Sequence, residues 1–268
     1  MLFRSGKAVA KQIRTEYGAA DVIVARNVLG HASELQDLVA GMKHLLAPTG
    51  VLMIEVPYAY FLRQEVQYDT IFHEHLSYLT VSSMANLLRR FGLKISDITF
   101  VQMNGGSVLC EVVHQDTPLG RSDQALIDFE EIIALNSPEG WRQFTVTVHA
   151  QRAAFIALLR ELKAAGKTVV GYGAAAKCMT MLNYCGVTPD LLSAMGDANP
   201  RKQGLLCPGV RIPVVSPEAL LDRNPDYIMI GAWNLKEEIM RFFRETLGYK
   251  NNFIVPLPMP VVIPSAKR

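Results

Sequence analysis

The sequence predicts an α/β chain in two parts, and three observations carry the prediction. Its 268 residues suggest two domains. Two short runs, 21–25 (Asp-Val-Ile-Val-Ala) and 51–56, flank an amphipathic stretch at 33–46, giving the strand, helix, strand order of a doubly wound sheet. Residues 167–177 repeat the device, with Gly171-x-Gly173-x-x-Ala176 between a strand and a helix. A hydrophobic fraction of 50% against 19% charged is ample for buried cores. The net charge of +2 gives no reason to expect nucleic acid. No apolar run is long enough to span a bilayer, and the opening residues lack the apolar stretch of a signal peptide. No membrane association and a cytoplasmic location are therefore expected. Cys110, Cys178, Cys185 and Cys207 form no Cys-x-x-Cys pair, so reduced thiols are expected and zinc is not.

Taken in order, residues 5–17 read as a helix with Ser5 as N-cap and Gly18 as stop. The strand at 21–25 ends in Asn27-Val-Leu-Gly-His31. The helix at 33–46 is closed by Pro48-Thr-Gly50, and the strand at 51–56 by Pro57. Residues 81–90 read as a helix capped by Thr80 or Ser82 and closed by Gly92. Residues 93–102 and 107–114 alternate like an antiparallel pair joined through Gly105-Gly106. Polar residues 116–121 read as a linker. Helices follow at 124–135 and 141–165, the second with a core stripe of Phe144, Val148, Phe155, Leu158, Leu159 and Leu162. The second α/β unit adds strands at 191–195, 227–231 and 252–255 and helices at 217–221 and 235–247. Pro256-Leu-Pro-Met-Pro260 then predicts an extended tail.

The chemistry concentrates in Asp69-Thr-Ile-Phe-His73-Glu-His75-Leu-Ser-Tyr78, soon after a buried strand. Histidine titrates nearest to neutral pH, so it suits proton transfer. Either His73 or His75 is a candidate base, with Glu74 or Asp69 to orient it; a solvated loop is the alternative. Asn27, His31 and Glu55 stand at strand ends, where open α/β sheets bind ligands; a helix cap and a buried structural Glu are the alternatives. Gly105 and Gly106 are a turn or a close approach of backbone to a ligand. The acid completing a dinucleotide site would be Asp197, which lies further along than the about 20 residues such fingerprints expect.

Glu55-Val-Pro-Tyr58, His73-Glu-His75-Leu-Ser-Tyr78, Gly105-Gly-Ser107, Gly171-Tyr-Gly-Ala-Ala-Ala-Lys177 and Asp197-Ala-Asn-Pro-Arg-Lys-Gln-Gly204, in that order, resemble the sugar C-methyltransferases. These enzymes use S-adenosylmethionine (SAM) to methylate C3 of nucleotide-linked 4-keto-6-deoxy sugars. The resemblance implies part of a class I SAM-methyltransferase domain over 1–115 and a Rossmann-like C-terminal domain over 116–268. It implies His75 as base, with Glu74 and the Phe72 position completing the catalytic group, and Asn27, His31 and Glu55 toward SAM. It assigns Tyr58, His73, Tyr78, Gly105, Gly106, Ser107, Gly173, Lys177 and Asn199 to the nucleotide-sugar. Lys177, Arg201 and Lys202 are the cations offered to its pyrophosphate.

The chain departs from the family in four ways. Phe72 stands where the family has Tyr, so that side chain cannot relay a proton. The cysteine-rich zinc domain, the first Gly-rich turn and the ribose acid do not appear, and Phe3 reads as the tail of an earlier strand. The expectation is a truncated gene model, a split enzyme whose other half is a separate chain, or a degenerate homologue, and SAM binding by the chain alone is expected to be weak. The rival reading is a non-catalytic nucleotide-sugar-binding module. A nicotinamide enzyme rests on Gly171-x-Gly173 alone, and a zinc hydrolase on His73 and His75 lacks a third ligand.

Overall fold

The computed structural model describes residues 6–103, 105–118 and 124–265. The expected cap Ser5, Phe3, Asn104 and much of the expected linker lie outside them. The chain forms two compact units, one of residues 1–64 and 73–143, the other of 65–72 and 144–268.

The first unit opens with α1 (Lys7–Tyr17), closed by Gly18 at φ 85°, and β1 (Ala20–Arg26). After α2 (Leu35–Leu45) the chain passes directly into β2 (Leu46–Pro57). The break expected at Pro48-Thr-Gly50 is instead an irregularity in a continuous strand, where the register slips between Ala20 and Val22. Gly50 is needed there, because a Cβ would stand 2.9 Å from the Ala20 carbonyl oxygen. A short helix that the sequence reading missed, α3 (Ala59–Gln64), precedes α4 (Val81–Arg89). Thr80, not Ser82, caps α4: its hydroxyl accepts from the Ser83 amide and the Ser83 hydroxyl accepts from the Thr80 amide. β3 (Leu93–Val101) and β4 (Ser107–His114) form the expected antiparallel pair. The sheet runs β1-β2-β4-β3, with β1 and β2 parallel and β4 antiparallel to both of its neighbours. Leu52, Ile54, Val56, Val108, Cys110 and Val112 alternate onto one face and form the core with Met84 and Leu88 of α4. α5 (Gln124–Ile132) follows, and α6 (Pro138–Ala164) begins in this unit and continues into the second.

In the second unit the α6 stripe packs as its spacing predicts. Phe155 and Leu159 are fully buried, Val148 and Leu162 nearly so, and Phe144 and Leu158 flank them. β5 (Val169–Tyr172), α7 (Ala176–Cys185), β6 (Met195–Gly196), β7 (Val214–Val215), α8 (Pro217–Leu221), β8 (Tyr227–Ile230), α9 (Lys236–Arg241), β9 (Asn252–Val255) and β10 (Val261–Ile263) complete it. The strand expected at 191–195 shrinks to two residues, because residues 188–192 turn back on Thr188. The helix expected at 235–247 is flanked by a 3-10 turn, Trp233–Leu235, and a π-turn, Phe242–Thr246. The expected extended tail is corrected: β10 pairs antiparallel with β9. The order is β10-β9-β8-β5-β6-β7, parallel except at β10. All four cysteines are buried thiols outside any disulfide. Among the described residues no helix is long and apolar enough to cross a membrane, and no cluster of His, Cys, Asp and Glu has metal-site geometry.

Candidate functional site

In the first unit, the carboxyl ends of the parallel strands β1 and β2 carry the residues assigned to the cofactor. Asn27 follows β1 at φ 53°, a left-handed conformation that Asn tolerates. Its amide donates to the Glu55 carbonyl at 2.9 Å, tying the two strand ends together. Glu55 is 3% exposed, and Arg26 Nε donates to its Oε2 at 2.7 Å. Two buried acceptors remain without a partner, Asn27 Oδ1 and Glu55 Oε1. A buried acceptor left unpaired costs roughly 1–3 kcal/mol, so a pair of them at a strand-end crevice is suited to donors brought by a ligand. SAM carries such donors, ribose hydroxyls and an ammonium, and these residues fit it.

The 3-10 turn Leu29–His31 clamps the segment that follows His73. The Gly30 carbonyl accepts from the Leu76 amide at 2.8 Å and the Ser77 amide at 3.2 Å. His31 Nδ1 lies 2.7 Å from the Glu74 carbonyl oxygen. This brings the His31 ring edge-on to His75, with centroids 4.8 Å apart, and the Tyr78 ring to 6.3 Å from His75. Burial raises the Tyr78 phenol above its ordinary pKa. The two histidines of the motif do not share an extended face, because residues 72–74 turn. His75 is partly buried in the clamp. The His73 side chain is 89% exposed, 4.0 Å from a Glu74 carboxylate that is itself 63% exposed. Glu74 therefore contributes its backbone carbonyl to the clamp, while its carboxylate faces His73. Phe72 and Asp69 belong to the second unit, and the Phe72 amide donates to Thr70 at 3.1 Å.

Tyr58 is 1% exposed, and its hydroxyl donates to Glu130 Oε1 at 2.8 Å, so that phenol is engaged within the fold. Gly105 (φ 89°) and Gly106 (φ 112°) make the β3–β4 turn, and a Cβ on Gly106 would collide with the Phe61 ring at 2.5 Å. Ser107 is fully buried and donates to the Met103 carbonyl at 3.1 Å. These four serve the scaffold directly. Glu130, which the sequence reading did not single out, is fully buried and accepts the amides of Val81 and Ser82 at 2.7 and 2.9 Å.

In the second unit, Gly173 turns at φ 92° between β5 and α7, with Ala232 packed where a Cβ would stand. Asp197 is not free to hold a ribose. It accepts the Ala174 amide at 3.0 Å, the Asn199 amide at 2.9 Å and Lys202 Nζ at 3.0 Å. Lys202 also donates to the Ala174 carbonyl at 2.8 Å, so this cation holds the loop together. Asn199 Oδ1 accepts the Arg201 amide at 3.0 Å, a local turn. Lys177 Nζ lies 5.2 Å from the Trp233 ring centroid and donates to Asn234 Oδ1. Asp69, 1% exposed, accepts from Trp233 Nε1 at 2.7 Å.

A model of the C-methyltransferase C-terminal domain matches residues 102–258, and one of a methyltransferase domain matches residues 4–98. The C-methyltransferase NovU of Streptomyces niveus is 34% identical over 261 residues, 95% of this chain and 61% of NovU. The chain thus spans about three fifths of that relative's length. Among solved structures, the mitomycin 7-O-methyltransferase MmcR aligns at 18% identity and a TM-score of 0.30, over 36% of this chain and 30% of MmcR. The magnesium protoporphyrin IX methyltransferase of Synechocystis PCC 6803 aligns at 14% and 0.28, over 36% and 45%.

Proposed function

Because the chain belongs to the C-methyltransferase family, we propose that it takes part in SAM-dependent methylation at C3 of a nucleotide-linked 4-keto-6-deoxy sugar, with His75 as the base. The observation that carries this reading is the clamp on His75, beside two unpartnered acceptors at the ends of β1 and β2. A C4 ketone acidifies the C3 proton. His75 takes that proton as a neutral imidazole and becomes charged, leaving an enolate whose carbon is the nucleophile. His31 and the Gly30 carbonyl restrict the ring and the backbone on either side of it, which shortens the search for a reactive geometry. Asn27 and Glu55 would hold SAM, which when bound supplies the electrophilic methyl group. Tyr78, whose ring lies beside His75, is the phenol nearest in kind to the one that Phe72 lacks, and it is assigned to donate to the developing oxyanion.

The test is deuterium exchange at C3 of a 4-keto-6-deoxy sugar nucleotide in D2O without SAM, read by NMR. The parent should exchange. His75→Ala should lose about 100-fold or more while still binding the sugar nucleotide, and His73→Ala should lose less. Exchange by His75→Ala at the parent rate would place the base elsewhere, with Tyr78 or Glu74 next. Phe72 favours a second reading, a nucleotide-sugar-binding module without catalysis. A parent chain that binds the sugar nucleotide without exchanging C3 would support it.

A further inference from the structure

β1 is an outermost strand of the first sheet, with β2 on one side and no described strand on the other. Asn27 directs its amide to the Glu55 carbonyl on the β2 side. Backbone groups alternate in direction along a strand, so the amides and carbonyls of Val22, Val24 and Arg26 point away from β2, to the open edge. The register with β2 is unbroken from Val22 to Arg26. The side chains alternate too. Ala25 is buried in the core and Ile23 packs against it, which puts Val22 and Val24 on the opposite face, each 62% exposed. There Val22 stands beside Val51 and Val24 beside Met53, widening the apolar strip.

An open apolar edge is a template for another strand, and proteins blunt such edges with charge, proline, bulges or brevity. The other described edges are blunted. β3 carries Lys94 and Asp97 and a register shift between Ile95 and Asp97. β7 is two residues long. β10 is three residues long and lies between Pro260 and Pro264. β1 has charges only toward its ends, Asp21 and Arg26, and Glu55 holds Arg26. Its middle, Val22 to Ala25, carries nothing to repel a second strand.

We propose that this edge joins two copies of the chain: β1 pairs antiparallel with β1 of a second copy about a two-fold axis at Ile23, making one sheet of two four-stranded ones. β1 is self-complementary in that register. Val22 lies opposite Val24 of the second copy, and Val24 opposite its Val22. All four belong to the outward row, so each pair exchanges two backbone hydrogen bonds. Their side chains stand on the same exposed face and cover one another. Asp21 meets Ala25 and Arg26 meets Ala20, so no like charges face each other. Moving the axis by one residue sets Val22 against Arg26 or Val24 against Ala20, and a valine pair is lost. The antiparallel direction also lays the start of the second copy's β1 beside Asn27, so the interface continues into the strand-end crevice.

Sedimentation equilibrium of the full chain tests this. The parent should give twice the 29.7 kDa of one chain and fall toward a single chain on dilution. Val22→Lys with Val24→Lys sets lysine against lysine at both pairs, and should raise the dissociation constant about 100-fold. Val22→Asp with Val24→Lys sets opposite charges together at both pairs, and should dimerise about tenfold or more tighter than the paired lysines. Both positions are exposed in the single chain, so each variant should keep the parent's fold, checked by far-ultraviolet circular dichroism. Val24→Pro is a second probe. It removes an outward amide rather than one bonded to β2, and should leave a folded single chain. A parent that sediments as one chain at every concentration overturns the proposal. So does a dimer that survives both the paired lysines and Val24→Pro, because its interface then lies elsewhere. A charge swap no tighter than the paired lysines overturns it as well, because the register is then wrong.

Discussion

Glu130 offers a quantitative test of how the first unit holds the strand ends and α4 together. Its Oε1 accepts the Val81 amide at 2.7 Å and the Tyr58 hydroxyl at 2.8 Å. Its Oε2 accepts the Ser82 amide at 2.9 Å and the Ser82 hydroxyl, with Asn136 Nδ2 more distant at 3.4 Å. The two amides belong to the first turn of α4, where the helix dipole favours a negative charge. Glu130→Ala strands both amides and the Tyr58 hydroxyl in the core. At roughly 1–3 kcal/mol per stranded donor, softened by water entering the space, the loss should be about 4 kcal/mol. Glu130→Gln separates charge from shape. With the amide oxygen on the Val81 side, its NH2 meets the Ser82 hydroxyl, which can rotate to accept, and the Ser82 amide, which cannot. One stranded donor and weaker neutral bonds predict a loss of about 2 kcal/mol. Urea unfolding followed by hydrogen exchange, read on peptides of each unit, resolves the effect. Peptides from β2 and α4 should lose protection at lower urea, in the order parent, Gln, Ala. A change below about 0.5 kcal/mol for Glu130→Ala, the range of ordinary surface substitutions, would refute the reasoning.

Two further outcomes are expected. The Asp69 carboxyl binds its proton more tightly in the fold than its ordinary value of 3.8 allows, so its contribution to stability is complete below that value and is lost as pH rises through about 6. Asp69→Asn should therefore remove a slope of at most about 3 kcal/mol from the pH dependence of second-unit unfolding, and should leave that unit more stable than the parent at pH 8. A parent slope of the opposite sign would show the carboxyl to be stabilised as an anion. His31→Ala removes the ring packed on His75, and should slow C3 deuterium exchange about tenfold with little change in sugar-nucleotide affinity. Equal exchange rates in the two proteins would mean that His31 does not order the base.

What was legible in the sequence was local. The α6 stripe, the Thr80 cap and the β3–β4 pair follow from periodicity and turn chemistry within a few residues, and these the structure contains. β10 escaped because Pro256-Leu-Pro-Met-Pro260 reads as the end of regular structure, whereas β9 offers an edge on which Val261–Ile263 can pair. Asp69 and Trp233 are 164 residues apart, and no window of sequence contains both. Glu130 sits in a helix whose spacing gives no sign that a carboxylate is fully buried; its donors come from α4 and the end of β2. The same limit explains the histidines. His73 and His75 are equivalent by composition and spacing, and a straight strand would give them one face. What separates them is a turn at 72–74 together with the Gly30 and His31 clamp, which comes from more than 40 residues earlier. Which titratable group of a motif is held for chemistry is thus set by the partner that reaches it from elsewhere in the chain. For His75 that partner, His31, stands beside the crevice where Asn27 and Glu55 leave two acceptors unfilled, so the proposed base and the residues proposed to hold the cofactor answer to the same strand ends.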